Sequence, residues 1–215
     1  MQNNYYSRVF GLLFVGLFIS FLTGYCVSLN PELIIKMFSS TSLLFILLLE
    51  IGIVIVFNFL LSKMPTFLAY ACYILYSFTT GFTLSSIFLL YNMSSIIFVF
   101  LITSILFLLL ALYGYFTKRD LTKWGIYLLF ALLGIIITTI VNIFIGSQNI
   151  DFVINIVGII VFLMFTAYDV NHVLPNSNYM YGDSKGAIYA AFQIYLDYIN
   201  LFLRIIQIIG KNKDN

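Results

Sequence analysis

Five polar side chains in the last apolar stretch of the chain, Gln193, Asp197, Asn200, Arg204 and Gln207, recur at spacings of four, three, four and three residues. At about 100° per residue, such a series occupies one helix stripe roughly 80° wide. A carboxylate, a guanidinium and three amides on one stripe can hold a cation, pass a proton or pair with charges on neighbouring helices. The other faces carry Ile, Leu, Phe and Tyr. On a soluble protein the stripe would face water. On a membrane helix it faces a protein interior or a wet pathway, and intramembrane charge marks function.

Three more groups could join that chemistry. Glu50 and Asp169 lie inside apolar runs, and His172 follows Asp169 by three residues. An ionisable group at the centre of an isolated membrane helix costs about 2.5–3.5 kcal/mol, so each should have a partner. With spans ending near residues 42 and 209, Glu50 lies about 12 Å and Arg204 about 8 Å below the same membrane face. Similar depth and opposite charge lead us to expect an ion pair. Asp169 falls at the end of its span and Asp197 about 15 Å into the next, so depth alone does not unite them. They converge if the intervening loop, 172–186, dips into the protein. A carboxylate pair would titrate as a unit and make a proton-sensitive switch or a hard-cation site. The alternative is that Asp169 caps a helix end in contact with water, with Lys63 as another candidate partner. His172 is expected to be solvated.

The elements that must position these groups are membrane spans. Of 215 residues, 62% are hydrophobic and 8% charged. A soluble domain carries about 25% charged residues, so the chain reads as an integral membrane protein, all-α, in one domain over 1–215. Taking about 20 apolar residues per span, we place spans at 8–29, 42–62, 67–90, 95–116, 124–145, 152–171 and 187–209. The hydroxyl-rich third span, with Ser77, Thr79, Thr80, Thr83, Ser85 and Ser86, suits close helix packing; the alternative is that some of these hydroxyls line a pore. Cys26 and Cys72 each sit in an apolar run and are expected to pack rather than pair or bind metal. No basic cluster points to nucleic acid; the expected partner is the lipid bilayer, and no cofactor is implied.

Basic residues orient the spans. With the N-terminus in the cytoplasm, Arg8, Lys63, Lys118, Arg119, Lys123 and Lys185 fall inside, and Lys36 outside. The tail, with Lys211 and Lys213, then falls outside if the last segment crosses.

Several runs carry a family resemblance. They are Gly81 to Ser86 (GFTLSS), Tyr113 to Leu121 (YGYFTKRDL) followed by Trp124-Gly125, Tyr168-Asp169, and above all Ile194 to Phe202 (IYLDYINLF). In this order they resemble the Bax inhibitor-1 family in its bacterial branch, over nearly the whole chain. The resemblance implies six helices around a polar seventh and a pH-sensitive calcium leak channel of the cell membrane. It also implies that Asp169 and Asp197 form the proton sensor. Asn200 lies in the same motif. Where the family carries arginine at the inner end of helix two, this chain has Lys63.

Two other functions are weighed against the channel. Intramembrane aspartyl proteases also place Tyr-Asp on one helix and an aspartate on the next. They carry Gly-x-Gly-Asp at the second aspartate, where this chain has Tyr195-Leu196-Asp197, and Pro-Ala-Leu, which follows none of Pro31, Pro65 and Pro175. An enzyme is therefore not expected. An accessory protein that modulates a membrane protease or translocon component is the alternative, because it too tolerates a polar seventh helix.

Overall fold

In a computed structural model the chain is described over residues 2–30, 32–34 and 40–210; Lys36, Lys211 and Lys213, used above for orientation, lie outside the described residues. Among the described residues seven long α-helices follow one another: α1 Gln2–Ser28, α2 Ser40–Leu60, α3 Thr66–Leu90, α4 Met93–Phe116, α5 Trp124–Ile145, α6 Gln148–Tyr168 and α7 Leu174–Ile209. A single π-helical turn, Asp169–Val173, joins α6 to α7. No strand occurs among the described residues. The protein is an all-α polytopic membrane protein. Its long, apolar candidate spans are Asn4–Ser28, Thr66–Leu90, Met93–Phe116, Trp124–Ile145 and the continuous stretch Gln148–Ile209, with a shorter apolar helix at Leu48–Leu60.

The chain forms two compact units that interleave in sequence. Among the described residues, one comprises those of 2–92 with Ser177–Phe192, the other Met93–Asn176 with 193–210.

In the first unit α1 and α3 run parallel. Apolar residues surround α1, so amphipathicity does not choose its buried face; small residues and hydrogen bonds do. Tyr5, Val9, Leu13, Leu17 and Ser20 are buried, while Phe14, Phe18 and Leu22 face outward. The Ser20 hydroxyl donates to the Ser77 carbonyl at 2.7 Å, and the Tyr73 hydroxyl to the Leu12 carbonyl at 2.8 Å. On α2, Phe57 stacks on Phe192 with ring centroids 4.3 Å apart. The Lys185 ammonium donates to the carbonyls of Ser62 and Met64 just past the end of α2, where the helix dipole favours a cation. The Arg8–Asp183 ion pair, at 2.7 Å, ties α1 to the same stretch.

The second unit is built on α4, α5 and α6. Leu128 and Ile135 of α5 and Ile154 and Val161 of α6, each pair one heptad apart, form a shared core. The turn between these helices is closed by Gly146 in the left-handed region and by Ser147, whose hydroxyl caps the Ile150 amide.

Residues 172–186, expected as a loop, are helical. The π turn closes with the Leu174 amide bonded to the Asp169 carbonyl, and Pro175 follows. Proline has no N–H for the i−4 carbonyl and crowds it, so widening the preceding turn accommodates it. The helix then breaks once, at Gly182 (φ 76°, ψ 173°), a conformation closed to residues with a Cβ. Reversal there packs Gly186 against the preceding arm so closely that a Cβ on it would lie 2.4 Å from the Ser177 carbonyl oxygen.

Candidate functional site

The reversal at Gly182 explains how two aspartates that seem mismatched in depth come together. Asp169 precedes Gly182 by 13 residues and Asp197 follows it by 15. In a helical hairpin, residues about equally far from the turn lie side by side. Counting Asp197's depth from residue 187, instead of from the turn, produces the apparent mismatch. Both aspartates belong to the second unit, both are 5% exposed, and their carboxyls hydrogen-bond to each other. Such a contact needs one proton shared between two acids. Asp197 Oδ2 is fully buried and has no hydrogen-bond partner, an arrangement that costs free energy unless a proton or a cation compensates it.

The end of α6 is stapled in place. Asn171, in the π turn, donates through Nδ2 to the Gly114 carbonyl at 3.1 Å and accepts from the Leu121 amide at 3.4 Å. His172 Nδ1 lies 3.1 Å from the Thr122 hydroxyl and 3.2 Å from Asn176 Nδ2. That hydroxyl also bonds to the Asp120 carboxylate, which takes the Thr122 amide as well, at 2.9 Å. The two Thr122 bonds, side chain first and then backbone, hold the Asp120 carboxyl below the usual carboxylate range. His172 thus takes part in a surface network between the 117–123 connection and the π turn. No group of three or more His, Cys, Asp or Glu residues is placed to hold a metal ion among the described residues.

The rest of the stripe grades from buried to exposed along α7. Gln193 is half-buried, Asn200 is half-buried and donates back to the Leu196 carbonyl at 2.8 Å, and Gln207 is exposed. Arg204 donates to Asn155 Oδ1 at 3.1 Å and lies across Gly158, where a Cβ would stand 3.1 Å from its Nε. In the first unit Glu50 accepts from the Thr83 hydroxyl at 3.2 Å. Glu50 and Arg204 therefore each have a neutral partner within their own unit. Sequence reasoning missed Asn155 and Asn171, and named Thr83 only among the hydroxyls of its span; spacing gives no sign of which helix each faces. Cys26 and Cys72 are free thiols.

The family model described as "Inhibitor of apoptosis-promoting Bax1" matches residues 2–214. A protein of Borreliella burgdorferi is 39% identical, covering 100% of this chain and 95% of its own length. Inner membrane protein YbhL of Escherichia coli K12 is 33% identical, with 97% and 92% covered. A Rickettsia prowazekii protein is 32% identical over 79% of this chain and 73% of its own. Carrying the Asp169–Asp197 pair at the junction of its sixth and seventh helices, the chain belongs to the Bax inhibitor-1 family.

Proposed function

We propose that the protein is a pH-sensitive cation leak of the cell membrane, with calcium as the permeant ion and the Asp169–Asp197 pair as its gate. The observation that carries this reading is the hydrogen bond between two buried carboxyls at the joint of α6 and α7. The bond exists only while the pair holds a proton. Losing it leaves two like charges in contact, and their repulsion favours separation. The two groups titrate as one unit. The freed oxygens are hard ligands of the kind calcium takes. The proton-bridged arrangement is the closed one, so flux rises as pH rises through the titration of the pair. The N-terminus lies in the cytoplasm, placing the Lys118, Arg119 and Lys123 connection inside.

Calcium uptake into liposomes containing this protein alone, measured across mildly acidic to neutral pH, tests the reading. A pH-dependent flux supports it; no flux in the wild type overturns it. The second reading, an accessory protein docked to another membrane protein, rests on an open apolar groove of about 550 Å³ between α5 and α6. Gly134, one of the residues lining it, has no atom within 4 Å of where a Cβ would stand. Liposomes without flux would favour it.

A further inference from the structure

The hydroxyls of α3 divide into two groups. Ser77, Thr79, Ser85 and Ser86 each donate to a carbonyl three or four residues back, at 2.6–3.0 Å. This is the usual way for a membrane helix to satisfy a hydroxyl. Thr80 and Thr83, one turn apart, do not follow it. Thr83 donates across to Glu50 on α2. Thr80, 6% exposed, also faces the Glu50 carboxylate, yet its Oγ1 has no hydrogen-bond partner of hydrogen-bonding geometry. The carbonyls it could reach along its own helix are already engaged, that of Tyr76 by the Thr79 hydroxyl and that of Ser77 by the Ser20 hydroxyl, and a buried hydroxyl left unpaired forgoes about 1–3 kcal/mol.

One carboxylate and two hydroxyls converging inside a membrane protein form an all-oxygen donor set. Hard cations take such ligands, completing their shell with water. The geometry points to a cation site made by Glu50, Thr80 and Thr83 within the first unit, with Glu50 supplying the charge and the threonines replacing hydration oxygens. It is a site for a partly hydrated hard metal cation, separate from the aspartate pair. It rests on the cation-leak reading only for its use in transport; binding itself does not require flux.

The test reads binding through the thermal stability of the purified protein in detergent, titrated with calcium chloride and, separately, with sodium chloride against a choline chloride control. A ligand of the folded state raises the melting temperature as its concentration passes the dissociation constant. The wild type should show a saturable rise with one of the two metals beyond the choline control. Glu50→Gln should abolish it. Thr80→Val and Thr83→Val, which keep side-chain shape, should each weaken apparent affinity by about tenfold, the equivalent of one charge-assisted contact. Without metal Thr80→Val should be at least as stable as wild type, since it removes an unpaired buried hydroxyl. Asp169→Asn should leave the titration unchanged.

A rise that survives both threonine variants overturns the site, as does one abolished by Asp169→Asn. So does the absence of a metal-specific rise in the wild type. A fourth result would also overturn it: strong coupling between Glu50→Gln and Arg204→Met in a double-mutant cycle without metal would assign the Glu50 charge to an ion pair with Arg204. Liposomes without calcium flux, alongside an intact binding response, would defeat the leak and leave the site standing.

Discussion

Buried charge is handled in opposite ways at two places in the molecule. At the Asp169–Asp197 joint a carboxyl meets a carboxyl. At Arg204 a guanidinium meets the neutral side-chain oxygen of Asn155 and lies against Gly158. The second arrangement stabilises the fold: the charged group donates a hydrogen bond to Asn155 Oδ1, and its stem packs on helix backbone. The first does not, because two acids in contact gain nothing over two amides unless a proton is present. A contact that serves stability poorly and depends on solution pH is a candidate switch. The comparison therefore separates a charge that holds the protein together from a pair proposed to respond.

The sharpest way to break this comparison is to neutralise the joint. Asp169→Asn and Asp197→Asn should each abolish most of the pH dependence of calcium flux while changing stability by no more than about 1 kcal/mol, because the like-charge contact is removed and side-chain shape is kept. A pH response unchanged in both variants would remove the switch. At the stabilising site the order of effects reverses. Asn155→Leu should cost about 1.5–3 kcal/mol in denaturation of the purified protein, the value of a hydrogen bond to a charged group, with the pH dependence of flux preserved.

Gly186→Val examines what brings the acids together. Its side chain collides with the Ser177 carbonyl, so a loss of about 1–3 kcal/mol is expected, with the pH response weakened because the hairpin arms are forced apart. Equal stability would show that the arms do not pack as described. The smallest effect should be at the 117–123 connection. Thr122→Val removes the hydroxyl bond to Asp120, so that carboxyl's titration, followed by carbon-detected NMR, should move up toward the usual range. The bonds depress the folded-state value, so the stability they lend is present above the ordinary range and lost as pH falls through the depressed one. The two proteins should thus converge in strongly acid buffer.

Much of this was legible in the sequence. Hydropathy locates the apolar helices, because burial in lipid imposes long apolar runs whatever their neighbours. The stripe on the last helix and the motifs around Asp169 and Asp197 single out the two acids that the structure brings together. The hairpin arm was not legible. Asn176, Ser177, Asn178, Asp183, Ser184 and Lys185 give the segment from 176 to 185 a loop-like composition. Hydropathy reports solvent preference, not backbone geometry, and here a polar segment is helical on both sides of Gly182. The pairing of two threonines with Glu50 escaped for another reason. Six hydroxyls on one span look alike in sequence, and only side-chain rotation shows that two of them turn from their own helix toward Glu50.

Phe57 and the carbonyls at the end of α2 are made early in synthesis, yet their partners, Phe192 and Lys185, belong to the last stretch of the chain. The first unit is closed by residues 177–192, so an inserting chain carries an open first half until translation is almost complete. The insertion machinery or surrounding lipid must shelter that half meanwhile. A chain that stops before Ser177 loses more than its final helix: it leaves an aromatic surface and two carbonyl groups without the residues that cover them, a ready mark for membrane proteolysis.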